Sequence, residues 1–158
     1  FNNRGRRQEE QVDVMRKLWS EDSLDYTGEY HRIDKASINP RPSKTIPIWF
    51  GGSAPALRDR VARLGDGWIP LMGANDKAKA CIDTIKQTRE AAGLSFDNFG
   101  IQAQAQYAGG SPERWRKHAE AWREMGCTHL AIATHNAGPT NVDGHLARIG
   151  EYQQALQG

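Results

Sequence analysis

The sequence is short of most features that fix a function on sight. It carries two cysteines, Cys81 and Cys127. They are too few and too far apart for a disulfide framework, a zinc ligand set or a Cys-x-x-Cys redox pair. Two isolated thiols suit a reducing compartment, and a cytoplasmic location is expected. No His-x-x-x-His spacing and no Gly-x-Ser-x-Gly nucleophile turn occurs, so neither a metal site nor a serine hydrolase is expected. No apolar run approaches the roughly 18 residues of a membrane span. No sign of charge dominates either. The net charge is +2, too small for the electrostatic footprint of a nucleic-acid binder. The one local concentration, Arg4, Arg6 and Arg7, reads as the solvated start of a helix.

What the sequence does have is a period. Val12, Met15, Leu18 and Trp19 place a helical stripe on residues 8–19. Tyr26 to Ile33 reads as a small hairpin turning near Gly28, and the Pro-rich stretch 38–45 as an extended connector. From there strands and helices alternate. Strand 46–50 leads to helix 54–64, and strand 67–71 to helix 76–91 with Gly93 as its stop. Strand 99–107 precedes helix 112–125, with Ser111 as N-cap and Pro112 in the first turn. Strand 128–134 precedes a last helix over 143–156. Residues 46–158 thus hold four βα units, and residues 1–45 hold the helix, hairpin and connector; the chain 1–158 reads as one partial domain. Trp115 and Trp122, seven residues apart, share a helix face and read as core or interface.

Repeated βα units give a parallel sheet, open or closed into a barrel. Strand 99–107 alternates Phe99, Ile101, Ala103 and Ala105 with Gly100, Gln102, Gln104 and Gln106. A central strand of an open sheet, covered on both faces, is apolar on both. One polar face suits a barrel lumen. A (βα)8 barrel needs eight strands and typically about 250 residues, so this chain supplies half.

The segment Ile46-Pro47-Ile48-Trp49-Phe50-Gly51-Gly52-Ser53 carries the sharpest chemical signal. A strand running through paired glycines into a helix N-terminus can hold a phosphate. Backbone N–H groups point outward, the helix dipole adds positive potential, and no Cβ blocks approach. The same glycines suit a plain tight turn with positive φ equally well.

These residues also resemble a known family. Arg4-Gly5-Arg6-Arg7-Gln8-Glu9-Glu10, Leu18-Trp19, Tyr26-Thr27-Gly28-Glu29-Tyr30, Pro40-Arg41-Pro42, Ile46 to Gly52, and Arg63-Leu64-Gly65-Asp66-Gly67-Trp68 follow in order. The series is similar to the luciferase-like monooxygenase superfamily, especially its branch that uses the deazaflavin coenzyme F420. Beyond about residue 70 the similarity is one of βα order. The resemblance implies the C-terminal half of a (βα)8 TIM barrel, strands 5–8, the other half holding strands 1–4. It implies an F420-dependent oxidoreductase acting on a small organic substrate, with FMN and a luciferase-like monooxygenase as the alternative. A half barrel that has lost catalysis and serves as a binding or scaffold protein stands as a third reading.

Carried over by matching residues, the resemblance gives Phe50, Gly51, Gly52 and Ser53 as binders of the cofactor phosphate. Asp66, at the N-terminal end of its strand, reads as structural, because that end of a barrel carries stability. Met72, Gln104, Gln106 and His135 lie at or beyond strand C-terminal ends and are candidates for the substrate pocket. Core packing suits Met72 as well, and a solvated loop suits His135. His118 and His145 read as surface residues. No catalytic side chain is assigned, since the cofactor carries the chemistry. A half barrel leaves the edges of strands 46–50 and 128–134 open, so a homo-oligomer or a separate N-terminal half is expected to pair with them. The isolated chain is expected not to turn over substrate.

Overall fold

A computed structural model describes residues 3–138 and 141–157. Helix α1 (Arg4–Ser20) leads into a hairpin of β1 (Leu24–Thr27) and β2 (Arg32–Ala36). Four βα units follow: β3 (Trp49–Gly51) with α2 (Pro55–Leu64), β4 (Gly67–Ile69) with α3 (Asp76–Ala91), β5 (Gly100–Gln106) with α4 (Pro112–Glu124), and β6 (His129–Ala133) with α5 (Val142–Gln157). The four strands pair in parallel in the order β3-β4-β5-β6. Each connection thus joins neighbours, with no reversal of strand order. Such right-handed crossovers stack their helices on one face, which is the arrangement of one half of a (βα)8 barrel.

Side-chain alternation sorts the two faces. Phe50, Trp68, Ile101, Ala103 and Ala105 are all buried. They meet Val61, Ile82 and Ile85 of α2 and α3, and Trp115 and Trp122 of α4. Burying each large side chain contributes roughly 1.5–3 kcal/mol. Gln102 is half-buried and Gln104 and Gln106 are exposed, so burial along β5 alternates as the sequence does. The Trp49 ring lies across Gly67 of β4 and Gly100 of β5 and meets His129 of β6 edge-on, with ring centroids 5.0 Å apart.

Helix boundaries follow their caps. Asn75 accepts from the Ala78 N–H at 3.1 Å and Ser111 from the Arg114 N–H at 3.4 Å. Gly93 and Gly126, at φ +70° and +81°, close α3 and α4. All four strands of the sheet are shorter than expected, and for β3 and β4 the cause is plain. Ile48 is fastened not to a ladder but to Asp66, whose Oδ2 accepts the Ile48 N–H at 2.8 Å and whose N–H donates to the Ile48 carbonyl at 2.8 Å. Pro70 has no N–H to continue β4. Helix α1 also departs from a single stripe. It packs against both α2 and β1 and buries Val12 and Val14, while Met15 is exposed.

The hairpin is clasped by one carboxylate. Glu10 accepts the N–H groups of Glu29, Tyr30 and His31 and contacts His31 Nδ1, all at 2.6–3.1 Å. A Cβ on Gly28 would sit 2.4 Å from that carboxylate. Burial raises the Glu10 pKa, but the hydrogen bonds from Tyr30, His31 and Glu29 outweigh it, and the net shift is downward. A lowered folded-state pKa gives stability that is present above the ordinary value of 4.5 and is lost as pH falls through the folded value. Acid titration should therefore release the hairpin amides before the βα core. Hydrogen exchange at Tyr30 and His31 checks this: the step should be present in the wild type and absent from Glu10→Gln, and persistence of the same step in that variant contradicts it.

Candidate cofactor-binding site

The β3–α2 turn is built as a donor cradle. Gly52 sits at φ +129°, and a Cβ there would lie 2.5 Å from Leu57 Cδ2, so glycine is required twice over. The Gly52 carbonyl accepts from Trp68 Nε1 at 2.7 Å, which fixes the turn to the core. The Gly52 N–H, expected among the phosphate donors, donates instead to the Ile69 carbonyl at 3.1 Å. The N–H groups of Ser53 and Ala54 are among the donors left at the mouth of α2. Ala54 occupies the N-cap position, where no side chain caps the helix and no acidic residue stands in the first turn. Helices α3 and α4 have both a capping side chain and a first-turn acid. An uncapped, acid-free N-terminus keeps its full positive potential for an anion.

This turn opens on a groove of about 830 Å³. Its other wall is the start of α1, which brings Arg4, Arg6 and Arg7 opposite Ser53 and Ala54; Arg60 of α2 lies between. The arginine cluster is exposed at the start of α1, as expected, and also lines this groove. Sequence proximity alone gave no sign that α1 and α2 begin side by side. Arg60 is held by Glu9 at 3.1 Å and lies so close to Gly5 that any Cβ there would meet its guanidinium at 2.2 Å.

The remaining candidates separate into different places. Gln104 and Gln106 share a smaller pocket with Arg114 and His118, and His118 Nε2 lies 3.2 Å from the Gln104 carbonyl. Met72 is half-buried and packs toward Ala78, Ala103 and Trp122 on the helix side. His135 is exposed beyond β6. His145, read as a surface residue, is half-buried and its Nδ1 hydrogen-bonds Thr134 Oγ1 at 2.9 Å. None of them lines the glycine turn's groove.

A second cavity of about 720 Å³ lies between the β5–α4 loop and α5. Composition gave no warning of it. The Tyr107 hydroxyl donates to Glu151, and Arg148 reaches the same carboxylate at 2.8 Å while lying 5.3 Å from the Tyr107 ring centroid. The Tyr107 bond, with Arg148, holds the Glu151 carboxyl below its ordinary range. That same bond raises the Tyr107 phenol. Among the described residues no cluster of three metal-ligating side chains occurs. No helix there is long and apolar enough to cross a membrane.

Known proteins resemble this chain in sequence and in fold. The chain is 39% identical over 95 residues to an F420-dependent glucose-6-phosphate dehydrogenase of Nakamurella multipartita, covering 59% of this chain and 28% of that protein. It is 33% identical over 100 residues to an FMNH2-dependent dimethylsulfone monooxygenase of Pseudomonas fluorescens, covering 63% and 27%. The chain spans well under half the length of the curated relatives it matches. In fold it resembles an F420-dependent secondary alcohol dehydrogenase, with a TM-score of 0.75 at 16% identity over 93% of this chain and 60% of that one. The sequence profile of luciferase-like monooxygenases matches residues 1–157, and the chain belongs to that family.

Proposed function

We propose that this chain is the phosphate-binding half of an F420-dependent oxidoreductase that moves hydride to or from a small organic substrate. One observation carries the reading. The β3–α2 turn presents unpaired Ser53 and Ala54 N–H groups at an uncapped helix start, on a groove that four arginines and no carboxylate line. A phosphomonoester or diester fits such a donor set, and a cation does not. When bound, a deazaflavin supplies the hydride chemistry; the protein binds, orients and excludes water. Here Trp68 and Ile69 hold the turn in place, and Gln104 and Gln106 offer hydrogen bonds on the lumen face. The relatives include both F420- and FMNH2-dependent enzymes, and the turn by itself suits the phosphate of either. A barrel needs its other wall to enclose a ring, so this chain alone is expected to bind without turnover.

Ala54→Asp tests the phosphate assignment with opposite signs in two measurements. An Asp N-cap stabilises α2 by about 1 kcal/mol, so the thermal midpoint should rise. The same carboxylate stands where the phosphate belongs and should weaken cofactor binding about tenfold or more, the effect of roughly 1–2 kcal/mol of like-charge repulsion. A more stable variant with undiminished affinity overturns the assignment.

A further inference from the structure

We infer that the cavity between the β5–α4 loop and α5 is a second binding site, for an uncharged polyhydroxylated ring, a sugar or cyclic polyol. It is independent of the phosphate reading, and the two sites share no lining residue. Three observations carry it. The first is enclosure. The cavity measures about 720 Å³, within the roughly 300–1,000 Å³ of small-molecule pockets. Its walls are the β5–α4 loop, the turn after β6, and α5. They belong to two adjacent βα units whose strands pair with each other, so the site needs no further strand to be complete.

The second is unmet hydrogen bonding. Trp115 is only 7% exposed, yet its Nε1 has no acceptor. It faces Gly110 in the cavity wall, where a Cβ would lie 1.9 Å from it. Gly110 is not in the left-handed region, so what demands glycine there is room beside the indole N–H. The Tyr152 hydroxyl and Arg148 Nε are also buried without partners. Tyr152 packs on Trp115 with ring centroids 5.3 Å apart, and Arg148 holds Glu151 of the cavity wall. Three of the six such side-chain atoms among the described residues therefore gather around one cavity. Buried polar atoms left in this state mark the place of an oxygen that the protein itself does not supply.

The third is the chemistry of the groups that remain free. Glu151 is the one charged residue in the wall, and Tyr107 and Arg148 already occupy its carboxylate. An anion meets that carboxylate, and a cation finds the Arg148 guanidinium already over the Tyr107 ring. The Asn136 and Gln154 carboxamides line the cavity and bond to no other described residue. A carboxamide donates and accepts, as a hydroxyl does. Hydroxyls can thus answer both carboxamides and the indole N–H, while ring carbons pack on Ala108 and Ala155.

The test is an NMR titration of the 15N-labelled chain with myo-inositol and maltose, and with glucosamine and glucuronate as cationic and anionic counterparts. The Trp115 indole N–H, assigned with Trp115→Phe, is the reporter. Both uncharged compounds should shift it saturably, together with amides of residues 108–111, at millimolar concentration. Asn136→Gly combined with Gln154→Ala should weaken binding at least about fivefold, the effect of one or two lost hydrogen bonds. Glycine suits the Asn136 φ of +60° and Gln154 is exposed, so circular dichroism of this variant should match the wild type. No saturable shift up to about 100 mM, well beyond a millimolar dissociation constant, overturns the site. So does a drift shared by every indole resonance, or undiminished affinity in the double variant. Tighter binding of glucosamine or glucuronate overturns the assignment to an uncharged ligand. None of these results bears on the phosphate turn.

Discussion

Gly100→Val should be among the most destabilising single substitutions in this chain, by about 2–4 kcal/mol, the upper range of overpacking. An ideal Cβ at Gly100 lies 2.1 Å from Trp49 Cη2 and Cζ2. At Gly67 it lies 2.4 Å from Trp49 Cδ2. The indole thus rests directly on the backbone of two strands, and its far edge meets the His129 ring at 88°. No rotamer of valine avoids that contact, because the offending atom is Cβ itself. The cause is specific, so it can be isolated. In urea unfolding, Trp49→Ala combined with Gly100→Val should recover more than about 1 kcal/mol relative to the sum of the single changes. Additive effects would show that the ring does not hold these strands.

Asp66→Ala should cost about 2–3 kcal/mol. The Asp66 carboxylate accepts the Ile48 N–H at 2.8 Å and Arg16 Nη2 at 3.2 Å, and Arg16 also donates to the Leu64 carbonyl at 2.8 Å. One side chain therefore joins α1 to the starts of β3 and β4. The Asp66 and Arg16 side chains are each 39% exposed, so the ion pair itself contributes less than about 1 kcal/mol. Most of the loss comes from leaving the Ile48 N–H without an acceptor. Asp66→Asn keeps an acceptor oxygen and should cost about 1 kcal/mol, which urea midpoints resolve. Asp66 lies at the N-terminal end of the strands, opposite the Gly51–Ser53 turn, and neither variant should change cofactor affinity per folded molecule. A fall in affinity without a fall in stability would contradict its structural role.

Local chemistry was legible in the sequence wherever it acts through neighbours along the chain. The Ser111 cap and the Gly93 stop each marked a helix end, and the alternation of β5 gave a strand and its faces; the Asn75 cap was visible only in the structure. Strand order followed from the βα repeat, because crossover handedness leaves few alternatives. The family-like stretches Glu9-Glu10, Tyr26 to Tyr30 and Asp66-Gly67-Trp68 were legible as a pattern, but their meaning was not. Glu10 clasps the hairpin from about twenty residues away, and Asp66 receives Arg16 from fifty. Pairings at such separations leave no periodic trace. The same holds for the site. Gly51 and Gly52 marked the turn, but that the start of α1 supplies its other wall required the packing of α1 on α2. The Gly52 N–H was committed to Ile69 by strand register, which moves the available donors one and two residues onward, to Ser53 and Ala54.

The central claim is that these two amides hold the cofactor's phosphate. Backbone amide NMR of the 15N-labelled chain during an F420 titration tests it most directly. The account predicts saturable downfield shifts of the Ser53 and Ala54 resonances, abolished in Ala54→Asp, with Gly52 little changed because its N–H stays bonded to Ile69. Saturable binding that leaves Ser53 and Ala54 unshifted, or that shifts the Tyr107–Ser111 loop instead, would contradict it.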